Sequence, residues 1–152
     1  MSQKITNDNL NQWLKNPFRE TLIMGIINVT PDSFSDGGKY LELNKALEYS
    51  AKMINDGVDI IDIGGESTRP GAKVISIDQE LKRTIPLIEK IRSNSPNILI
   101  SIDTTKSVVA EKAILSGANI INDVSGLSND SRMIDIASKY QTPIIIMHMQ
   151  GN

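Results

Sequence analysis

Leu22-Ile-Met-Gly-Ile-Ile27 runs directly into Asn28-Val-Thr-Pro-Asp-Ser-Phe-Ser-Asp-Gly-Gly38. An apolar segment of strand length thus empties into a loop of hydroxyls, two carboxylates and a glycine pair. Pro, Asp, Ser and Gly are ordinary turn formers. No folding requirement, however, gathers Asp32, Ser33, Ser35 and Asp36 within so few residues. Loops that carry chemistry have this make-up and are positioned by a rigid strand behind them.

The pattern recurs along the chain. Val58-Asp-Ile-Ile-Asp-Ile63 opens into Gly64-Gly-Glu-Ser-Thr-Arg-Pro-Gly71, and Ile98-Leu-Ile-Ser-Ile102 ends at Asp103-Thr104. Asn119-Ile-Ile121 ends at Asn122-Asp123, and Pro143-Ile-Ile-Ile-Met147 ends at His148. Five short β-branched runs therefore each stop at a polar side chain. Between them the spacing of apolar residues predicts helices over Leu43–Asp56, Ile77–Ser93, Ser107–Ser116 and Asp130–Lys139. Gly57 and Gly117 are expected to stop the first and third of these.

Continuous apolar runs, rather than strict alternation, mark strands of a parallel sheet covered by helices. Strand–helix alternation with right-handed crossovers leaves two architectures, an open doubly wound sheet or a (β/α)8 barrel of TIM type. Both bind ligands at the carboxyl ends of their strands, where the polar residues just named fall. No Gly-x-Gly-x-x-Gly fingerprint follows the first strand, and the glycine pairs form no phosphate P-loop. Residues 1–20 are polar and Asn-rich, and read as a lead-in segment packed on the outside, with Trp13, Leu14 and Phe18 as its anchors. Residues 21–152 form the barrel-like domain.

Composition narrows the class. A chain of 152 residues with a net charge of -2 suits one globular domain with its own core. It carries no basic block that would call for nucleic acid or an anionic membrane. Cysteine is absent, which excludes disulfides and thiolate metal sites. The first residues lack the apolar core of a signal peptide, and no apolar run reaches the length of a membrane span. A cytoplasmic address is the expectation.

The stretch Met24–Gly38 closely resembles the first signature of the dihydropteroate synthases, and Asp62–Gly71 resembles their second. Ser101-Ile-Asp-Thr104, Ile121-Asn-Asp-Val-Ser-Gly126 and Met147-His-Met-Gln-Gly151 match later motifs of that family in order. The resemblance implies a (β/α)8 barrel of folate biosynthesis. Its activity joins p-aminobenzoate to 6-hydroxymethyl-7,8-dihydropterin diphosphate, giving 7,8-dihydropteroate and pyrophosphate, usually with Mg2+; sulfonamides compete with p-aminobenzoate. A pterin-dependent methyltransferase barrel is a rival, but is not expected to carry the Thr30–Gly38 loop. A non-catalytic pterin-binding fragment is a second rival.

That reaction expels diphosphate from a CH2 group beside an electron-rich pterin, so a cation-like centre develops. It calls for donors and Mg2+ on the leaving group, acceptors for the pterin, and an anion near the cation. By resemblance, Asn28 is the Mg2+ ligand, its amide oxygen suiting a hard cation; a turn-capping Asn is the alternative. Asp103 and Asn122 are the pterin-binding pair, a carboxylate being able to accept two N–H bonds from an aminopyrimidine edge. Asp103 has a rival role as cap of the helix that follows. Thr68 and Arg69 are placed at the diphosphate, the planar guanidinium suiting phosphate oxygens; an exposed surface arginine is the alternative. Asp36 is placed beside the cationic centre, and Phe34 and Pro70 line the aminobenzoate side. Met147 is expected on the pterin face, with an ordinary core methionine as the alternative. Asp62, Asp123 and His148 read more readily as structural, and Ser33, Ser35 and Glu66 as residues that order the loops.

An eight-stranded barrel typically takes about 250 residues, whereas this chain offers five strands and four helices before it stops at Gln150-Gly-Asn152. Half a barrel is expected to leave strand edges unpaired and apolar surface uncovered. The family's remaining pterin-binding Asp and Lys, and the Arg and His that hold its diphosphate, would lie in the other half. The 152-residue chain is thus expected to be inactive alone, and a homodimer is expected of the full-length protein.

Overall fold

The computed structural model describes residues 5–30, 38–67 and 73–147, with the side chains of 38–42 left aside. The order is α1 (Asn7–Lys15), β1 (Met24–Asn28), α2 (Gly38–Asn55), β2 (Ile60–Gly64), α3 (Ile77–Asn94), β3 (Leu99–Asp103), α4 (Ser107–Leu115), β4 (Ile120–Asp123), α5 (Met133–Tyr140) and β5 (Ile144–Ile146). The five strands pair in parallel in the order of the chain, β1-β2-β3-β4-β5. A doubly wound sheet reverses its strand order at a switch point. The sequential order is that of a (β/α)8 barrel, and the sheet with its helices is the first part of one.

Burial explains the register. Alternate residues of a strand point to opposite faces. Ile27, Ile61, Ile63, Ile100, Ile102 and Ile121 all turn to one face and are fully or almost fully buried there. They pack against Ala46 of α2, Leu87, Ile88 and Ile91 of α3, Val109, Ala110 and Ala113 of α4, and Met133 of α5. The opposite face carries Ile60, Leu99 and Ile120 near the amino ends of the strands, buried against Leu10 of α1. At the two outer strands that face is open: Ile26 is 58% exposed and Ile145 is 39% exposed.

The helix boundaries have local causes. Ser76 caps α3: its Oγ accepts from the Gln79 N–H, and the Gln79 side chain accepts from the Ser76 N–H, both at 3.2 Å. This reciprocal pair satisfies two otherwise unpaired donors. The helix then runs unbroken through Pro86. Gly57 and Gly117 follow α2 and α4 with φ of 100° and 112°, a conformation that costs glycine little. Among the described residues no helix is long and apolar enough to cross a membrane.

The lead-in segment departs from expectation. It holds a fifth helix, α1, where only four helices were expected. Its anchor is Leu10, which is 3% exposed, with Trp13 packed beside it. Phe18 is 91% exposed and Leu14 is also exposed. Helical spacing of three residues puts Leu10 and Trp13 on one face, whereas Phe18 lies beyond the end of the helix. Trp13 Nε1 donates to the Glu20 carbonyl at 2.9 Å and closes the segment on itself.

Leu10→Ala is predicted to lower unfolding stability by about 2–5 kcal/mol, the usual loss for a buried leucine, as read from urea denaturation. A change under about 0.5 kcal/mol would mean that α1 is not an integral cover of the strand ends.

Candidate active site

The last residues of four strands form one row. Asn28 is in register with Gly64, Gly64 with Asp103, and Asp103 with Asn122. All four point away from the helices, since the isoleucines before them point inward. Gly64 is the gap in this row. A Cβ there would lie 3.0 Å from Asn28 Oδ1 and 3.4 Å from Asp103 Oδ2, so the two side chains use the space that a larger residue would fill.

Asp103 carries no hydrogen bond on its carboxylate among the described residues, and it does not cap the helix that follows. Asp130 Oδ2 accepts from the first backbone N–H of α4, that of Ser107, at 3.0 Å, and Thr104 Oγ1 accepts from the Lys106 N–H at 3.2 Å. Burial pushes the Asp103 carboxyl up to about 7, helped by the negative charges of Asp62, Glu80, Asp123 and Glu66. Asp103 and Met147 line the same cavity of about 370 Å3, whose wall includes Glu66, Thr104 and Ser125.

Behind the row lie residues whose roles are not visible in the sequence. Glu80 of α3 is 1% exposed. Its Oε1 accepts from Thr104 Oγ1 at 2.6 Å, and its Oε2 accepts from Lys106 Nζ at 2.6 Å. Lys106 Nζ also donates to Glu66, on the loop after β2. Burial alone would push the Lys106 ammonium down, but its bonds to the two carboxylates outweigh that and hold it up. Arg83 Nη1 donates to the Gly65 carbonyl at 2.7 Å and ties the same loop to α3. The only sequence signal for this network was Glu66 itself, inside the second signature.

Asp62 lies one pleat below Gly64 and is 3% exposed. Its Oδ2 accepts from Asn122 Nδ2 at 3.1 Å. Burial raises its pKa, opposed by the Ser101 hydroxyl and the Asn122 amide. The hydroxyl is near enough to act on the carboxylate, but Asp62 Oδ1 and Ser101 Oγ make no well-formed hydrogen bond among the described residues. Asp123 faces the helices, fully buried. Its Oδ1 accepts from the Ser125 N–H at 2.8 Å and the Ser125 hydroxyl at 2.6 Å, and its Oδ2 accepts from the Leu127 N–H at 3.2 Å. Its carboxylate shapes the loop after β4.

Phe34, Asp36, Thr68, Arg69, Pro70 and His148 lie outside the described residues. Asn28, Asp103 and Asn122 are brought into one row, and Met147 joins Asp103 at the cavity. Among the described residues no three His, Cys, Asp or Glu side chains gather to hold a metal ion. Asn28 Oδ1, beside the Gly64 gap, is a single hard oxygen donor. That fits a Mg2+ ion held mainly by phosphate and water oxygens. A larger cavity, of about 500 Å3, lies at the other end of the strands beneath α1. Its one guanidinium, Arg92, is spent on the Gly117, Pro96 and Ile98 carbonyls and on Asn119 Oδ1.

Residues 24–152 match the family described as pterin binding enzyme. The chain belongs to the pterin-binding enzyme family. Within it, the resemblance to dihydropteroate synthase holds. The chain is 54% identical to the dihydropteroate synthase of Bacillus subtilis over 129 residues, covering 85% of this chain and 45% of that protein. With the Clostridium beijerinckii dihydropteroate synthase it shares 49% identity over 132 residues, 87% of this chain and 49% of the relative. Among solved structures, a Clostridium difficile dihydropteroate synthase determined with pteroic acid superposes with a TM-score of 0.82 at 49% identity. It is matched over 87% of this chain and 50% of its own. A Xanthomonas albilineans dihydropteroate synthase holding 4-aminobenzoic acid gives 0.79 at 42% identity, over 86% of this chain and 47% of its own. This member of the pterin-binding enzymes spans about half the length of the relatives it matches.

Folded Asp103 keeps its proton to about pH 7, whereas the unfolded side chain loses it near 3.8. Its contribution to stability therefore falls as pH rises between those values and levels off above them. In urea unfolding, Asp103→Asn should gain on the wild type on going from pH 4 to pH 8; a pH-independent difference would contradict the raised pKa. Lys106→Met strands the buried Glu80 charge and should cost about 3 kcal/mol. Adding Glu80→Gln should recover part of that loss, and strict additivity in the same assay would show that the two side chains are not coupled.

Proposed function

We propose that this chain supplies the pterin-binding part of a dihydropteroate synthase, which condenses p-aminobenzoate with 6-hydroxymethyl-7,8-dihydropterin diphosphate to give 7,8-dihydropteroate and pyrophosphate. The observation that carries this reading is the row Asn28–Gly64–Asp103–Asn122 at the strand ends, of which Asn28 and Gly64 belong by sequence to the two signatures. Related enzymes support the substrate classes: one Xanthomonas albilineans structure holds 4-aminobenzoic acid and another 7,8-dihydropteroate.

In this reading Asp103 accepts N–H bonds from the aminopyrimidine edge of the pterin, and Asn122 adds an amide beside it. Met147 packs on the pterin face. A desolvated carboxylate is a strong acceptor, and donors on the ligand favour its ionised form. Ligand binding therefore draws the Asp103 proton off, and affinity rises with pH through about 7. Thr68 and Arg69 hold the diphosphate as it leaves, Asp36 offsets the positive charge that develops on the CH2 carbon, and Phe34 and Pro70 line the aminobenzoate side. Asn28 Oδ1 holds Mg2+, which when bound supplies charge neutralisation at the diphosphate. A homodimer and a cytoplasmic address belong to the same proposal for the full-length protein.

Calorimetric titration of this chain with the pterin diphosphate and Mg2+, at pH 6 and pH 8, tests the reading. Binding should be tighter at pH 8, should release protons near pH 7, and should weaken about 10- to 100-fold in Asp103→Ala, the loss typical of a charged hydrogen bond. A folded wild-type chain that does not bind the pterin would refute the placement of the pterin site in this part of the barrel.

A further inference from the structure

The bond between Asp62 and Asn122 joins β2 to β4, which are not neighbours in the sheet. Strands two places apart are separated by about 9.6 Å, twice the usual spacing, so both side chains must lean over β3. Ser101 makes that possible. It is in register with Asp62 and fully buried, and its side chain is short. The Asn122 amide provides the one hydrogen bond of good geometry to the buried Asp62 carboxylate among the described residues.

A carboxylate only accepts hydrogen bonds, so it dictates which way the amide is turned. With Nδ2 held by Asp62, Asn122 Oδ1 is left on the sheet face that also carries Asp103, its register partner. The reverse orientation would set Oδ1 against a carboxylate oxygen, acceptor facing acceptor, inside a poorly solvated layer.

We propose that Asp62 is a positioning residue that locks the Asn122 amide with its nitrogen toward β2, so that Oδ1 is presented to the ligand as an acceptor beside Asp103. The inference rests on reading this pocket as the pterin site, and adds how the pocket selects an edge rich in N–H donors. Asp62 touches no ligand in this arrangement; it acts through Asn122.

The first test needs no ligand. In 15N–1H spectra of the chain, the Asn122 side-chain amide is identified by its disappearance in Asn122→Ala. Wild type should show a slowly exchanging Asn122 amide, and Asp62→Asn should speed that exchange about tenfold or more while the backbone spectrum stays folded. Fast exchange in wild type, or an unchanged rate in Asp62→Asn, overturns the proposal. Should Asp62→Asn fail to fold, the wild-type rate alone decides. The second test titrates wild type and Asp62→Asn with 6-hydroxymethylpterin and with its analogue lacking the 2-amino group. The variant should lose about tenfold of the preference for the first over the second, whereas a merely structural role would weaken both equally. If wild type binds neither compound, the pterin reading falls, and the exchange rates still decide whether Asp62 governs Asn122.

Discussion

The in-register parallel pairing of β1 to β4 is the constraint on which the site depends. Side chains alternate along a strand, so slipping any strand by one residue would exchange its two faces. Asn28, Asp103 or Asn122 would then turn into the helices, and a core isoleucine would turn out. Ile27, Ile63, Ile102 and Ile121 prevent this because each is buried under the helices one position before the polar row. Each such burial is worth roughly 1.5–3 kcal/mol. The apolar face thus holds the polar face in place, and the absence of a side chain at Gly64 leaves room for two polar groups to approach.

Concentrating acids at one end of the sheet has an electrostatic consequence. Burial first, and then the charges of Asp62, Glu80, Asp123 and Glu66, hold the pKa of Asp103 up. Nearby, Lys106 is bound to Glu66 and Glu80. The fold sets one cation against the two glutamates and, among the described residues, gives the Asp103 carboxylate no hydrogen-bond partner. A carboxylate desolvated and unpaired in this way stores a cost in the free protein that a ligand bearing N–H donors relieves. The same cation ties the loop after β2 to α3, so the electrostatics of the row and the placing of the second signature share one side chain.

Some assignments were legible from local pattern and others were not. The five strands fall within two residues of the apolar runs, and the four expected helices lie close to their periodic segments, because apolar spacing is a local property. The lead-in holds a helix that the sequence reading does not include: its apolar face is short, with Leu10 and Trp13 in the cluster beneath the strands, and Phe18, the more conspicuous residue, lies out in solvent. Asp62 and Asp123 stand in similar contexts at the ends of apolar runs, yet one faces the site and the other the helices. Their alternation becomes meaningful only once the register is known.

By itself the sequence determined the parallel α/β class, the polar character of every strand end and, through its two signature loops, the resemblance to the dihydropteroate synthases. Those follow from residue type and spacing along the chain. Periodicity left barrel and doubly wound sheet open and the resemblance implied the barrel, which the strand order bears out; only the tertiary structure put Asn28, Asp103 and Asn122 in one row, freed Asp103 from helix capping, and joined Asp62 to Asn122 and Lys106 to Glu80. Those facts depend on which strands lie side by side, and residues 60 or 26 positions apart carry no local signal that they will meet.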